Sequence, residues 1–161
     1  MVFLRLLGFL WCFPVTFLSW VFFFIPSYWK GVFERVYFTK ELAIVWDVDN
    51  NSKFYKDAME GWYGFILAAN VCVVDVPYRE GDWWEKHLKH ELVHVTQNFK
   101  WGVFFIPVYT ACTLFIWLFQ HAKHAYLDNP FEREARRAAG QKVDIPPDEW
   151  PDGPNDRFPW L

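Results

Sequence analysis

The stretch His90-Glu91-Leu92-Val93-His94, which reads HELVH, is the part of the chain from which a fold and a function can be inferred. On an α-helix, residues i and i+4 lie on the same face, so His90 and His94 can offer two imidazole nitrogens to one metal ion. Glu91 can then reach a water molecule on that ion. Two histidines, a third protein ligand and an open position for water are typical of a hydrolytic zinc site. The motif therefore predicts Zn²⁺ as cofactor, with Glu91 as the catalytic base.

The residues around the motif predict a small sheet followed by the helix that carries the two histidines. Asp82 begins a D-x-x-E pattern, which favours a helix start, and Gly102 favours a helix end. Upstream, residues 43–48 and 61–75 are rich in β-branched and aromatic side chains, which predicts two or three strands. Asn70 is expected at a bulge or turn between strands. A sheet followed by the ligand-bearing helix indicates an α+β fold.

A third ligand must come from elsewhere, because no H-x-x-G-x-x-H pattern follows the motif. The later segment NPFEREARRAAG predicts a short helix in which Asn129 is the N-cap, Pro130 the first helical residue and Gly140 the exit. This helix carries two carboxylates, Glu132 and Glu134. Either of them could complete a metal site, and either could instead form ordinary ion pairs with the arginines of the same helix.

HELVHVTQ followed by NPFEREARRAA is similar to the gluzincin type of zincin metallopeptidases. It most resembles small bacterial and phage peptidase-like proteins in which H-E-L-x-H-x-x-Q precedes N-P-x-E-x-E-A, and the resemblance covers residues 64–140. It implies a minimal zincin-like domain. The third ligand of gluzincins commonly stands three positions before a small residue, as in E-x-x-[AS]-D, which makes Glu132 the expected ligand and Glu134 the runner-up. Arg136 occupies the position where those proteins often have an aspartate that hydrogen-bonds a ligand histidine.

The resemblance also implies roles for the remaining residues. Glu91 would take the proton of a zinc-bound water and pass it to the leaving amine of a peptide substrate. An exposed strand edge near residues 71–75 could align that peptide by backbone pairing. A donor for the developing oxyanion is also required, and the candidates are Tyr126, His124 and His121.

Two long uncharged runs indicate that a lipid bilayer is a partner. Leu6–Pro26 is 21 residues long and is followed by Tyr28, Trp29 and Lys30, a composition typical of the membrane interface. It predicts a single-pass anchor, and the alternative is a buried hairpin that breaks at Pro14. The flanking charges do not fix on which side of the membrane the rest of the chain lies.

The second run, residues 101–120, is just long enough to cross a bilayer. A simple crossing would carry the chain about 30 Å away between His94 and a later ligand, whereas metal bonds are only about 2 Å long. We therefore expect this run to fold back near Pro107, to pack as a core helix, or to dip into the bilayer and return.

Length and composition set further limits. The chain has 161 residues and a net charge of −3, so nothing in its charge points to nucleic acid. We predict a membrane anchor and interfacial segment in residues 1–40, a zincin-like metallopeptidase domain in 41–140 and a proline-rich tail in 141–161.

The expected function is that of a membrane-associated zinc metallopeptidase. One alternative is a catalytically inactive zincin-like scaffold that interacts with membranes. Another is an intramembrane protease, but the charged residues around the motif helix argue against placing that helix in lipid.

Overall fold

The computed structural model describes residues 2–49, 52–53, 64–74, 83–120 and 125–143. The helices are α1 (Val2–Ser19), α2 (Ile25–Trp29), α3 (Trp83–Trp101), α4 (Phe105–Gln120), α5 (Ala125–Asp128) and α6 (Pro130–Ala139). The strands are β1 (Phe33–Phe38), β2 (Ile44–Val48), β3 (Gly64–Leu67) and β4 (Asn70–Val74). The predicted mixture of helices with a small sheet is confirmed. The predicted cap at Asp82 and most of the predicted tail, residues 144–161, lie outside the described residues.

The four strands form one sheet in the order β1-β2-β4-β3. β2 and β4 run parallel, and the outer strands β1 and β3 are antiparallel to their neighbours. β3 and β4 meet at a tight turn just before Asn70, as expected. The prediction that residues 71–75 offer an exposed edge is wrong for the part that the structure describes, because β4 lies between β2 and β3. Among the described strands, the edge strand on this side of the sheet is β3.

Helices cover both faces of the central strands, which explains why β2 and β4 are almost entirely apolar. On one face, Val45, Val71 and Val73 pack against Val95 of α3. On the other face, Trp46 packs against Phe24, which follows α1 in the chain. α3 is therefore fixed on the sheet by its apolar side, and its opposite side is left to carry the histidines.

The N-terminal apolar segment is a continuous helix and not a hairpin. α1 runs through Pro14, and a π-helical turn at Trp20–Phe24 joins it to α2. The segment 31–40, expected at the membrane surface, contains strand β1, which pairs with β2. The residues on either side of position 40 thus belong to one sheet.

Asn70 fastens the end of this segment to the sheet. Its side-chain oxygen accepts hydrogen bonds from the indole nitrogens of Trp20 and Trp46, at 2.6 and 2.9 Å. Its side-chain nitrogen donates to Ser19 Oγ at 2.8 Å. Every polar atom of this fully buried amide has a partner, as a buried polar group requires.

A close helix–helix contact holds α1 against the C-terminal part of α3. A Cβ atom at Gly8 would lie 2.5 Å from Phe99 Cβ, so only glycine lets the two backbones approach this closely. Cys12 Sγ donates a hydrogen bond to the Asn98 carbonyl oxygen at 3.0 Å. α1 therefore packs directly on the helix that carries the HELVH motif.

The second apolar run forms a single helix after a short irregular junction. Gly102 has a φ of +58°, which ends α3, and a 3₁₀ turn over Gly102–Phe104 leads into α4. The expected fold-back near Pro107 is not found, because Pro107 lies within the first turn of α4. α4 is not a core helix either, since most of its apolar side chains are exposed.

Among the described residues, two helical stretches are long and apolar enough to cross a membrane, namely Arg5–Trp29 and Trp84–Phe119. The apolar part of the second stretch is its C-terminal half, because the half before Trp101 carries the charged residues and the motif. Few residues of the apolar windows are buried inside the protein. This pattern is unlike that of a soluble core helix and supports association with a membrane.

Candidate metal site

Two helices bring the predicted ligands together. His90 and His94 lie one turn apart on the side of α3 that faces away from the sheet, and both are buried. Glu132 comes from the first turn of α6. Asn129 caps that helix by accepting a hydrogen bond from the Phe131 backbone N–H, as its position before Pro130 predicts. The Asn129 side chain also donates to α4, which fixes the start of α6 in place.

The three candidate ligand groups form a small triangle, in which the two histidines contact different oxygens of the Glu132 carboxylate. His90 Nε2 and His94 Nε2 are 3.1 Å apart. Glu132 Oε2 lies 3.2 Å from His90 Nε2, and Glu132 Oε1 lies 3.1 Å from His94 Nε2. Three ligands of a tetrahedral zinc ion are separated by about 3.3 Å when the bonds are close to 2 Å. The observed contacts are close to that spacing, and a buried group of this composition could hold a metal ion.

The electrostatics of Glu132 also favour a cation. Burial alone would raise the pKa of Glu132, but hydrogen bonds and positive charge from His90 and His94 outweigh it and hold the pKa well below its usual range. Glu132 is therefore a carboxylate at neutral pH, although it is almost completely buried. A buried negative charge requires a positive partner, which can be a metal ion or a protonated His94: burial alone would lower the pKa of His94, but the hydrogen bond and charge of Glu132 raise it to about 9.

Both histidines have a hydrogen-bond partner on the ring nitrogen that points away from the triangle. His94 Nδ1 lies 2.7 Å from Gln97 Oε1, and His90 Nδ1 lies 2.9 Å from Gln141 Oε1. Such partners orient a ligand histidine. The resemblance implies an aspartate in this role where the chain has Arg136, whereas the atoms next to the outer ring nitrogens here are two glutamine oxygens.

Glu134, the runner-up ligand, points elsewhere. Its Oε2 accepts a hydrogen bond from Gln97 Nε2 at 3.0 Å, and its Oε1 lies 3.9 Å from Lys100 Nζ, near the surface. The structure thus brings Glu132 and not Glu134 to the histidines. Helical geometry explains the difference, because residues two apart on a helix face different directions.

Glu91, the predicted base, is buried beside the triangle. Its Oε1 lies 3.6 Å from His87 Nε2, so His87 is a neighbour of the base and not a member of the ligand group. A Cβ atom at Gly64 would lie 3.2 Å from Glu91 Oε1 and 2.9 Å from the Cys72 carbonyl oxygen. Glycine at this position lets the edge strand β3 approach α3 closely.

A cleft of about 230 Å³ opens over these groups. Its lining includes residues of the edge strand β3, the start of α4 with Phe105 and Ile106, and the side chains of Glu91, His94 and Glu132. The cleft thus brings two possible ligands and the possible base together with an edge strand of the described sheet.

Two tyrosines border the same cleft. Tyr126, one of the predicted oxyanion donors, lies on α5, and burial together with the negative charge of Glu132 raises its pKa well above the usual range. It is therefore a protonated donor at neutral pH. The other two candidates, His121 and His124, lie outside the described residues.

Tyr109 is the site residue that the sequence interpretation missed. Its hydroxyl donates a hydrogen bond to Glu132 Oε1 at 2.7 Å. One signal was available, since Tyr109 is the single tyrosine in the uncharged run 101–120, and a buried tyrosine hydroxyl needs a partner.

Comparisons of this chain with protein-family models, with curated proteins and with solved structures found no match.

Proposed function

We propose that this protein is a membrane-associated, zinc-dependent peptidase of zincin-like type. The observation that carries the proposal is the triangle of His90, His94 and Glu132, in which the two Nε2 atoms are 3.1 Å apart and each lies 3.1 to 3.2 Å from a different oxygen of the Glu132 carboxylate. Two histidines and one carboxylate leave a fourth position open, which is the ligand pattern of hydrolytic zinc sites. The chemistry that zinc supplies when bound is a water of lowered pKa and polarisation of the scissile carbonyl.

The residues of the chain would do the rest. Glu91 accepts the proton of the attacking water on its carboxylate and donates it to the leaving amine. The backbone of β3 pairs with an extended peptide, because β3 is the sheet edge that lines the cleft. Tyr126, protonated and beside Glu132, is the described residue best suited to donate a hydrogen bond to the oxyanion.

The decisive test compares Glu91→Gln with Glu85→Gln. Glu85 lies on the same helix but is exposed, so it serves as the matched control. The purified full chain would be loaded with zinc, and its products from a peptide library would be identified by mass spectrometry. Cleavage by the wild type and by Glu85→Gln, with zinc retained but cleavage lost in Glu91→Gln, supports the proposal. Cleavage that survives Glu91→Gln overturns Glu91 as the base.

The same experiment addresses the scaffold alternative. A wild-type protein that binds zinc tightly and cuts no member of the library would overturn the peptidase proposal in favour of a catalytically inactive zincin-like scaffold. A wild-type protein that binds no zinc would overturn both the peptidase proposal and the zincin-like scaffold alternative.

The proposed membrane association rests on the exposed apolar faces of α1 and α4. On α4, the rings of Phe115 and Phe119 contact each other in a tilted arrangement with 4.9 Å between their centroids, and 56% and 70% of their surfaces are exposed. Such a pair is stable in lipid and unfavourable in water.

Flotation of the full chain with phosphatidylcholine vesicles tests this part of the proposal. We expect the wild type to float and to resist alkaline extraction, and we expect Phe115→Glu/Phe119→Glu to be released more readily. Lys89→Glu, an exposed change on the polar part of α3, is the control and should still float. A wild-type chain that stays soluble throughout would overturn membrane association.

A further inference from the structure

We propose that Gln97 and Gln141 are positioning residues that hold both ligand histidines in the one tautomer that presents Nε2 to a metal ion. The inference rests on the metal site proposed above and assigns the hydrogen-bond partners that make this site competent. It also ties the first residues after α6 to metal binding.

The argument begins with proton counting on the imidazole rings. A neutral histidine carries one N–H, and a metal binds the ring nitrogen that lacks it. The oxygen of a glutamine side chain can only accept a hydrogen bond. In the neutral form of His94, which is the form that binds a metal, Nδ1 at 2.7 Å from Gln97 Oε1 carries the proton and Nε2 presents its lone pair. His90 Nδ1 at 2.9 Å from Gln141 Oε1 follows the same rule.

The orientation of the Gln97 amide is fixed independently of the histidine. Its Nε2 donates to the Phe131 backbone carbonyl and to Glu134 Oε2, both at 3.0 Å. Neither of these oxygens can donate, so the amide cannot be turned over without losing both bonds. Glu134 is therefore not a ligand itself, but it helps to orient Gln97, and Gln97 in turn orients His94.

Gln141 reaches its histidine because of how α6 ends. Gly140 takes a left-handed conformation with a φ of +72°, and the backbone N–H of Gln141 donates to the Arg136 carbonyl oxygen at 2.9 Å. This cap directs the chain back towards α3. α6 thus supplies the ligand Glu132 in its first turn and a histidine partner just beyond its last.

The two glutamines are predicted to differ in one respect that can be tested. A carboxylate accepts a stronger hydrogen bond from an imidazole than an amide does and makes the ligand more basic. Gln141→Glu should therefore strengthen zinc binding. Gln97→Glu should weaken it, because a carboxylate cannot donate to Phe131 and would face Glu134.

The experiment measures the zinc dissociation constant of the full chain in detergent by competition with a chelating dye. We expect Gln97→Ala and Gln141→Ala each to weaken zinc binding by roughly 10- to 100-fold, the usual effect of removing such a partner. Gln141→Glu should bind more tightly than the wild type, and Gln97→Glu more weakly. Gln120→Ala is the matched control, since Gln120 lies 11 residues beyond Tyr109 on α4, about 16 Å along the helix.

A second measurement separates positioning from folding. Visible absorption of the cobalt-substituted protein reports the ligand geometry, and thermal unfolding of the metal-free variants reports the fold. A changed cobalt spectrum with unchanged metal-free unfolding supports positioning. Equal zinc affinity and equal spectra in wild type, Gln97→Ala and Gln141→Ala would overturn this inference alone, whereas a wild type that binds no zinc would overturn the proposed site itself.

Discussion

Two buried polar clusters in this molecule are similar in burial and opposite in character. The asparagine cluster consists of Asn70, Trp20, Trp46 and Ser19, and the ligand cluster consists of His90, His94 and Glu132. In the first, donors and acceptors match one another, with two indole N–H groups on one oxygen and one amide N–H on a hydroxyl. A cluster that satisfies itself stabilises the fold and needs nothing else.

The ligand cluster does not satisfy itself. Both Nδ1 atoms lie against glutamine oxygens, so in neutral histidines the two Nε2 atoms and the carboxylate would face one another as acceptors. Acceptors at 3.1 to 3.2 Å need a positive charge between them, which either a proton on a histidine or a metal ion can supply. The comparison shows that the balance of hydrogen-bond donors and acceptors, and not the degree of burial, distinguishes a structural polar cluster from a candidate site.

The largest expected effect comes from removing one corner of the triangle. Zinc at a thousand times its dissociation constant should stabilise the wild type by about 4 kcal/mol, and this gain should vanish in Glu132→Ala. Thermal unfolding with and without zinc measures it. Glu85→Ala, an exposed change on α3, is the control and should still be stabilised by zinc. A zinc-dependent shift that survives in Glu132→Ala would contradict the assignment of the third ligand.

Substitutions in the asparagine cluster should lower stability and leave zinc affinity unchanged. Asn70→Ala leaves the Trp20 and Trp46 indole nitrogens without their acceptor and should lower the free energy of unfolding by about 3 kcal/mol. Ser19→Ala removes a single bond and should cost about 1 kcal/mol. Neither change should alter zinc affinity. Chemical unfolding in detergent and dye competition check the two quantities, and a weakened zinc site in Asn70→Ala would contradict the separation of the clusters.

Local patterns predicted much of what the structure has. The cap at Asn129, the exit at Gly140 and the helix between them follow from residues within one turn of each other, so they could be read from the sequence. Glu132 was favoured over Glu134 by a family resemblance, and the structure brings Glu132 to the histidines.

The features that could not be predicted from the sequence depend on contacts between residues that are far apart in the chain. Strands β3 and β4 were both expected, but which of them forms the free edge depends on how β4 pairs with β2, and no local pattern states that. The partners Tyr109 and Gln141 lie 23 residues before Glu132 and 51 residues after His90. Polar residues at such separations meet only once α4 and α6 are packed.

A smaller effect should come from the contact between α1 and α3. Gly8→Ala places a methyl group 2.5 Å from Phe99 Cβ, and such overpacking should lower stability by about 2 kcal/mol. Zinc affinity should stay the same, because Phe99 lies on the side of α3 that packs on the sheet and not on the side that carries the histidines. Leu7→Ala, an exposed neighbour, serves as control and should change stability little. An unchanged unfolding midpoint for Gly8→Ala would show that α1 is not held against α3 as described.

The smallest expected effect is at Tyr109, whose hydroxyl contacts the ligand cluster from outside. Tyr109→Phe keeps the ring against Phe105 and Phe131 but removes the hydroxyl that donates to Glu132 Oε1. One lost hydrogen bond should cost about 1 kcal/mol of stability and weaken zinc binding by about tenfold or less. The charge on Glu132 is set mainly by the histidines, so the triangle should survive without the tyrosine. Complete loss of zinc binding in Tyr109→Phe, with unfolding otherwise normal, would mean that the three ligand atoms do not hold the ion unaided.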